Sequence, residues 1–252
     1  MILEYDGTEF HGWQRQPGER TVQQEIEDAL SELNRGVPVT VIGAGRTDAG
    51  VHALGQAAHF DLATRLTPTI LRQALNAKTA ADIQIRECLP VQPDFHARFD
   101  ARCRYYRYRI CRRRAVLERR TSWQIERDFD FAALRECALL IRGEHDFSRL
   151  SRFSRTGESK ICRIYDSQWI KSENFLNYMI VGNRFLHSMV RILVGTMLMI
   201  ARGKGGVRDF QNLIANRPSS LQIYSAPPQG LTLMRVEYEE YNAANDDNSV
   251  NS

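Results

Sequence analysis

Asp48 is the only carboxylate in the run Gly45-Arg46-Thr47-Asp48-Ala49-Gly50-Val51-His52, and an arginine stands two residues before it. A carboxylate set among glycines beside a guanidinium can serve as a positioned nucleophile; the same residues also make an ordinary turn. Arg191 is the second chemical outlier. It interrupts Met189-Val190-Arg191-Ile192-Leu193-Val194, a helical stretch apolar nearly all round. An unpaired buried guanidinium there is costly, so an acidic partner is expected. Pairing with Asp48 would keep that carboxylate ionised and fix the direction of its oxygens. The third feature is Arg104-Tyr105-Tyr106-Arg107-Tyr108-Arg109-Ile110. Strand alternation puts Arg104, Tyr106, Tyr108 and Ile110 on one face, and Tyr105, Arg107 and Arg109 on the other. Such a segment is either a half-exposed strand or an aromatic platform for a base, with arginines on the phosphates. Base stacking of this kind contributes about 1–3 kcal/mol per base.

Other candidate chemistries fail on spacing. Gly43-Ala44-Gly45 has Asp48 where a dinucleotide fingerprint needs its third glycine, and a strand pattern follows where that motif needs a helix. No P-loop and no metal-ligand spacing of His or Cys occurs, so neither a cofactor nor a metal is expected. The five cysteines (88, 103, 111, 137, 162) form no Cys-x-x-Cys pair. They are expected as reduced thiols in a cytoplasmic setting. His52, His59, His96 and His187 are expected to pack or hydrogen-bond rather than catalyse. The apolar run 189–201 is too short to cross a bilayer and the N-terminus has no leader pattern, so a soluble chain without a membrane partner is expected.

The elements that must position these residues can be read from periodicity and caps. Strand 1–6 is followed by helix 21–34, capped by Thr21, with Val22, Ile26, Ala29, Leu30 and Leu33 on one face. Strands 38–43 and 53–61 flank the Asp48 loop. Helix 68–76, with Thr67 as cap and Pro68 at its first position, leads to strand 82–89. The second half is predicted to repeat the order, with strand 103–110, helix 130–142 capped by Asp130, strands 161–170 and 174–182, helix 186–202, a short helix near 207–216, and strand 231–238. The fold class is therefore α+β: two tandem ferredoxin-like β-α-β-β-α-β halves, residues 1–102 and 103–242, forming a mixed, mainly antiparallel sheet around a central cleft. Residues 243–252 read as a disordered polar tail.

Charge narrows the partner. Residues 98–120 hold ten arginines against Asp100 and Glu118, whereas the rest of the chain has 24 basic and 28 acidic groups. One basic stripe on an otherwise mildly acidic chain suits an extended polyanion. Arg149, Arg152, Arg155, Lys160 and Arg163 are a second basic cluster, either an extension of that surface or a solvated loop.

These residues resemble the tRNA pseudouridine synthase A family over roughly residues 2–239. The matching segments are, in order, Glu4-Tyr5-Asp6-Gly7, Gly12-Trp13-Gln14-Arg15-Gln16, Thr21-Val22-Gln23, the Asp48 octapeptide, Phe95-His96-Ala97-Arg98-Phe99, Tyr106-Arg107-Tyr108, Gly143-Glu144-His145-Asp146-Phe147, Phe185-Leu186-His187-Ser188-Met189-Val190-Arg191 and Gly230-Leu231. The resemblance implies the pseudouridine synthase fold, with Asp48 as nucleophile, Tyr106 against the target uracil, Arg191 paired with Asp48, and Arg46 helping to extrude the base. It implies isomerisation of uridine to pseudouridine at positions 38–40 of the tRNA anticodon arm, by a homodimer needing no cofactor. Tyr106 is also a candidate for removing the C5 proton.

The chain departs from the family pattern at Thr79 and Ala80, at Ser225-Ala226-Pro227-Pro228, and in a first strand beginning at Met1, which is expected to weaken a sheet edge. Two rival functions fit the residues: a non-catalytic RNA-binding protein in which Asp48 only turns the chain, and a nucleosidase that releases the base.

Overall fold

Each of the first three helices begins where a side chain can take a free amide. In the computed structural model, which describes residues 1–152, 157 and 159–239, the side chain of Thr21 accepts from Gln24, that of Thr67 from Ile70, and that of Asp130 from Ala133. The helices they open are α1 (Val22–Leu33), α2 (Pro68–Asn76) and α3 (Phe131–Leu140); α4 (Met189–Ala201) and α5 (Val207–Ile214) follow. The strands are β1 (Ile2–Tyr5), β2 (Ile42–Gly43), β3 (His52–His59), β4 (Ile83–Glu87), β5 (Cys103–Cys111), β6 (Trp123–Gln124), β7 (Gly143–Asp146), β8 (Ile161–Lys171), β9 (Phe175–Gly182) and β10 (Leu231–Glu237). Arg155 and the tail 243–252 lie outside the described residues.

The strands form one mixed, mainly antiparallel sheet in the order β4-β1-β3-β10-β5-β9-β8-β7, with β2 beside β3 and β6 beside β5. The ferredoxin-like order appears twice, as β4-β1-β3-β2 and as β10-β5-β9-β8. The repeats meet at β3, whose second edge is shared. His52 and Ala53 run parallel to β10, while Ala58 and His59 pair with β2. Alternation decides what β5 buries. Tyr106, Tyr108 and Ile110 enter a core shared with Leu3, Ile26, Leu134 and Met197, whereas Cys103 and Tyr105 pack with Val181 in a separate small cluster.

Four expectations need correction. The strand predicted over 38–43 shrinks to two residues. Glu27 and Gln23 of α1 explain why: Glu27 Oε1 accepts from the Val41 amide and Gln23 Nε2 donates to the Val41 carbonyl, both at 3.0 Å. Side chains thus satisfy groups that a ladder would otherwise use. The helix predicted over 186–202 begins only at Met189, because Ser188 has left-handed backbone (φ 56°). β7 was not predicted; its side chains are mostly exposed and carry no alternation, and backbone pairing with β8 alone defines it. Finally, β1 is no sheet edge, being paired on both sides, with β3 and β4. The Thr79–Ala80 departure causes no visible disturbance: Thr79 closes α2 onto the Leu75 carbonyl through its amide and hydroxyl.

Candidate active site

The Asp48 loop is fixed from below by the N-terminal segment. Trp13 donates its amide to the Thr47 carbonyl at 3.1 Å, and Gly50 donates to Phe10 at 3.2 Å. The Tyr5 hydroxyl lies 2.9 Å from Thr47 Oγ1, and Gln56 Nε2 donates to the Gly45 carbonyl at 2.8 Å. Two close approaches require glycine. A Cβ on Gly7 would sit 2.0 Å from the Val51 carbonyl oxygen. At Gly12 (φ +89°) it would sit 2.7 Å from that of Thr47. Two histidines tie neighbouring segments together. His52 accepts the Gly7 amide at Nδ1 and donates through Nε2 to the Arg120 carbonyl, and His59 accepts the Ala97 amide.

From the other side of the sheet joint, α4 meets the loop. Arg191 Nη1 and Ser188 Oγ both donate to Asp48 Oδ2, each at 2.7 Å. Oδ1 accepts no hydrogen bond among the described residues, and His187 Nε2 lies 3.6 Å from it. The Asp48 and Arg191 side chains are 18% and 12% exposed, so this pair is shielded but not sealed. Ser188 is the residue before α4, yet its hydroxyl makes no capping bond; it turns to the carboxylate instead. A non-glycine residue held at φ 56° is strained, and here the strain directs a donor at Asp48. The segment Ser225–Pro228 seats the arginine: Ala226 accepts from Arg191 Nε at 2.8 Å and returns its own amide to the Arg191 carbonyl at 3.0 Å.

Tyr106 lies beneath the loop. Its hydroxyl is 4.0 Å from where a Cβ on Gly45 would stand, and its ring meets Phe185 edge-on with centroids 5.2 Å apart. Burial pushes this hydroxyl well above the ordinary tyrosine range, with Tyr5 and Asp48 adding to the shift and Arg104 opposing it. Arg46 is exposed at the loop. Asp48, Arg191 and Tyr106 therefore come together, with Arg46 on the outside. His187 departs from expectation. It is half-exposed beside the carboxylate and not packed away.

Sequence reasoning also missed Ser188, because a serine ahead of an apolar helix reads as a cap. The arginine stripe divides on folding. Arg104 is buried, Arg109 pairs with Glu118 at 2.9 Å, and Arg112 pairs with Asp128 at 2.7 Å. Arg98, Arg102, Arg113, Arg114, Arg119 and Arg120 stay exposed.

Comparison with known proteins decides what this arrangement belongs to. A family model described as tRNA pseudouridine synthase matches residues 1–100 and 138–239. The chain belongs to the tRNA pseudouridine synthase family. It is 41% identical over 238 residues to the tRNA pseudouridine synthase A of Shouchella clausii, covering 94% of this chain and 91% of that one. Its identity to the tRNA pseudouridine synthase A of Geobacillus sp. (strain WCH70) is 39% over 239 residues, covering 94% and 96%. The enzyme of the same description from Geobacter sp. (strain M21) is 38% identical over 244 residues, covering 95% and 98%. A member of the tRNA pseudouridine synthase family is an isomerase that converts uridine to pseudouridine in tRNA, and the reading as a non-catalytic RNA-binding protein falls away. Residues 101–137, with Tyr106 and most of the arginine stripe, fall between the two segments that the family model matches. Among the described residues, no helix of this family member is long and apolar enough to cross a membrane.

Proposed function

We propose that the enzyme isomerises uridine at positions 38–40 of the tRNA anticodon arm, with Asp48 as nucleophile toward a base turned out of the helical stack. The observation that carries this reading is the asymmetry of the carboxylate. Oδ2 is held by Arg191 and Ser188, whereas Oδ1 accepts no hydrogen bond among the described residues and has only His187 Nε2 near it, at 3.6 Å. A fixed carboxylate with one oxygen outside any hydrogen bond is suited to covalent attack. In the overall reaction the N1–C1′ bond breaks and a C5–C1′ bond forms. C5 loses a proton, N1 gains one, and no electrons leave the substrate. A covalent bond from Oδ1, to C6 of the uracil or to C1′ of the ribose, would divide this exchange into steps while the base stays in the site. Hydrolysis with release of the base is the outcome that retention must prevent.

The remaining roles follow from position. The Tyr106 ring would lie against the displaced uracil and replace part of its lost stacking. With its hydroxyl held neutral by burial, Tyr106 enters as a hydrogen-bonding group, which argues against a phenolate base for the C5 proton. Arg46, exposed at the loop, would occupy the space the base leaves. Arg113 and Arg114 offer phosphate contacts, and recognition would rest on backbone and shape more than on sequence. The choice of the anticodon arm, the homodimer and the cytoplasmic location are supported by the family resemblance.

The test is incubation of purified protein with unmodified tRNA, followed by mapping of pseudouridine through carbodiimide-dependent reverse-transcription stops. Stops at positions 38–40 are expected with the parent. Asp48→Asn should lower the rate by at least about 10³-fold, the scale of losing a nucleophile, with tRNA affinity retained. Product formed equally well by Asp48→Asn would remove Asp48 from the chemistry. Sedimentation at micromolar protein would reveal the dimer, and a monomer would exclude it.

A further inference from the structure

Arg104 is the most deeply placed guanidinium of the stripe, 8% exposed, and no carboxylate is among its hydrogen-bond partners. Its Nη1 donates to the Ala101 carbonyl at 2.7 Å and to that of Asn183 at 2.5 Å. Its Nη2 donates to Ala44 at 3.1 Å and to Arg98 at 2.7 Å. Four backbone carbonyls from three separate segments thus converge on one fixed fork of donors. Only a planar guanidinium presents donors in that arrangement.

Two of those carbonyls belong to the arms that carry the site. Ala44 immediately precedes the Asp48 octapeptide. Asn183 follows β9 and begins the turn that ends at Ser188 and α4. The two arms meet twice: at their tips through Asp48, Ser188 and Arg191, and at their bases through Arg104. Bond formation at Asp48 would perturb the tip contact, but the base contact uses only backbone oxygens. Arg104 also lies two residues before Tyr106 on the same face of β5, and that strand frames both. Burial lowers the affinity of Arg104 for its proton, yet a guanidinium keeps its charge inside proteins. The four carbonyl dipoles then take the place of the water it gave up.

We propose that Arg104 is a positioning residue for the isomerisation, fixing the separation between the Asp48 loop and the start of α4 so that Oδ1 and the Tyr106 ring face one displaced base. This rests on the reading of Asp48 as nucleophile. The experiment compares Arg104→Lys and Arg104→Met with the parent in thermal unfolding, KM for unmodified tRNA, and single-turnover rate measured well below the unfolding temperature. Arg104→Met should slow the single-turnover step by about 10²-fold, the loss associated with a displacement of about 1 Å, with KM within about threefold of the parent. Arg104→Lys keeps the charge but puts its donors on one atom, and should recover part of the rate. A folded Arg104→Met with the parent's single-turnover rate overturns the proposal, and so would rates that merely track the loss of thermal stability. Should the methionine variant not fold, a folded Arg104→Lys with the parent's rate overturns it equally. A parent chain that forms no pseudouridine sinks the functional reading instead, which separates the two failures.

Discussion

The β2–β3 connection and the β8–β9 connection occupy the same place in the two ferredoxin-like repeats, and they are built in opposite ways. β8 and β9 pair from Ile164 opposite Gly182 to Lys171 opposite Leu176, and residues 172–174 close the hairpin. That turn needs little beyond Ser172, whose amide meets the Phe175 carbonyl at 2.9 Å. β2 and β3 share only two pairs, and the connection between them is the Asp48 loop. Its rigidity comes from elsewhere: Tyr5, Trp13, Gln56, Arg104 and α4 each hold it at a different point. The second hairpin is stabilised by its own ladder, the first by the rest of the molecule. A loop held by distant segments can present Asp48 in one direction without a ladder to flatten it.

Substitutions of comparable size should therefore have very different effects in the two places. Gly7→Ala is expected to be the most damaging, because its Cβ has no room beside the Val51 carbonyl. A loss of about 3 kcal/mol, the upper range for overpacking, should appear in denaturant unfolding. Parent-like stability would mean that the loop gives way easily.

The next largest effect is alkaline. Burial raises the Tyr5 hydroxyl to about 12 from an ordinary 10.0. The unfolded chain releases this proton first, so the stabilisation is complete below pH 10 and is lost as pH rises through about 12. One such group accounts for roughly 2–3 kcal/mol, and Tyr106, Tyr108 and Tyr178 shift the same way. Tyr5→Phe should flatten the pH dependence of stability between pH 10 and 12; an unchanged slope would place the effect in other residues.

Ser188→Ala removes a hydrogen bond to a charged acceptor, worth about 2 kcal/mol, or roughly thirtyfold in rate. Ser188→Gly should be equally slow but more stable, since glycine relieves the left-handed strain. A fast Ser188→Gly would show that the hydroxyl is idle. Smallest of all, Glu173→Ala in the second hairpin should stay within about 0.5 kcal/mol and leave the rate alone. A larger effect there would break the comparison at its quiet end.

The same contrast separates what the sequence made legible from what it hid. Helices with a side-chain cap and a periodic face were readable, and α2 matches its predicted bounds of Pro68 and Asn76. Alternation in β5 correctly sorted Tyr106 and Tyr108 from Tyr105. What stayed hidden depended on contacts far apart in the chain. The β-branched run Val39-Thr40-Val41-Ile42 suggests a strand, but the Val41 backbone is claimed by Gln23 and Glu27. The pairing sought for Arg191 follows from the cost of burying a guanidinium, and Asp48 stands 2.7 Å from it. Nothing local marks Ser188 as a donor to Asp48, or Arg104 as a ligand for carbonyls instead of phosphates.

The parallel pairing of β3 with β10 has a consequence in time. Residues 232–233 leave the ribosome long after residues 52–53, their partners in the sheet. Throughout that interval the growing chain carries an open strand edge, the kind of surface that invites association with other chains. Ala226, which seats Arg191, arrives just as late. The candidate site is therefore completed only after its other parts have long been made, and a nascent chain stalled before Ala226 would have neither a closed sheet nor a seated Arg191.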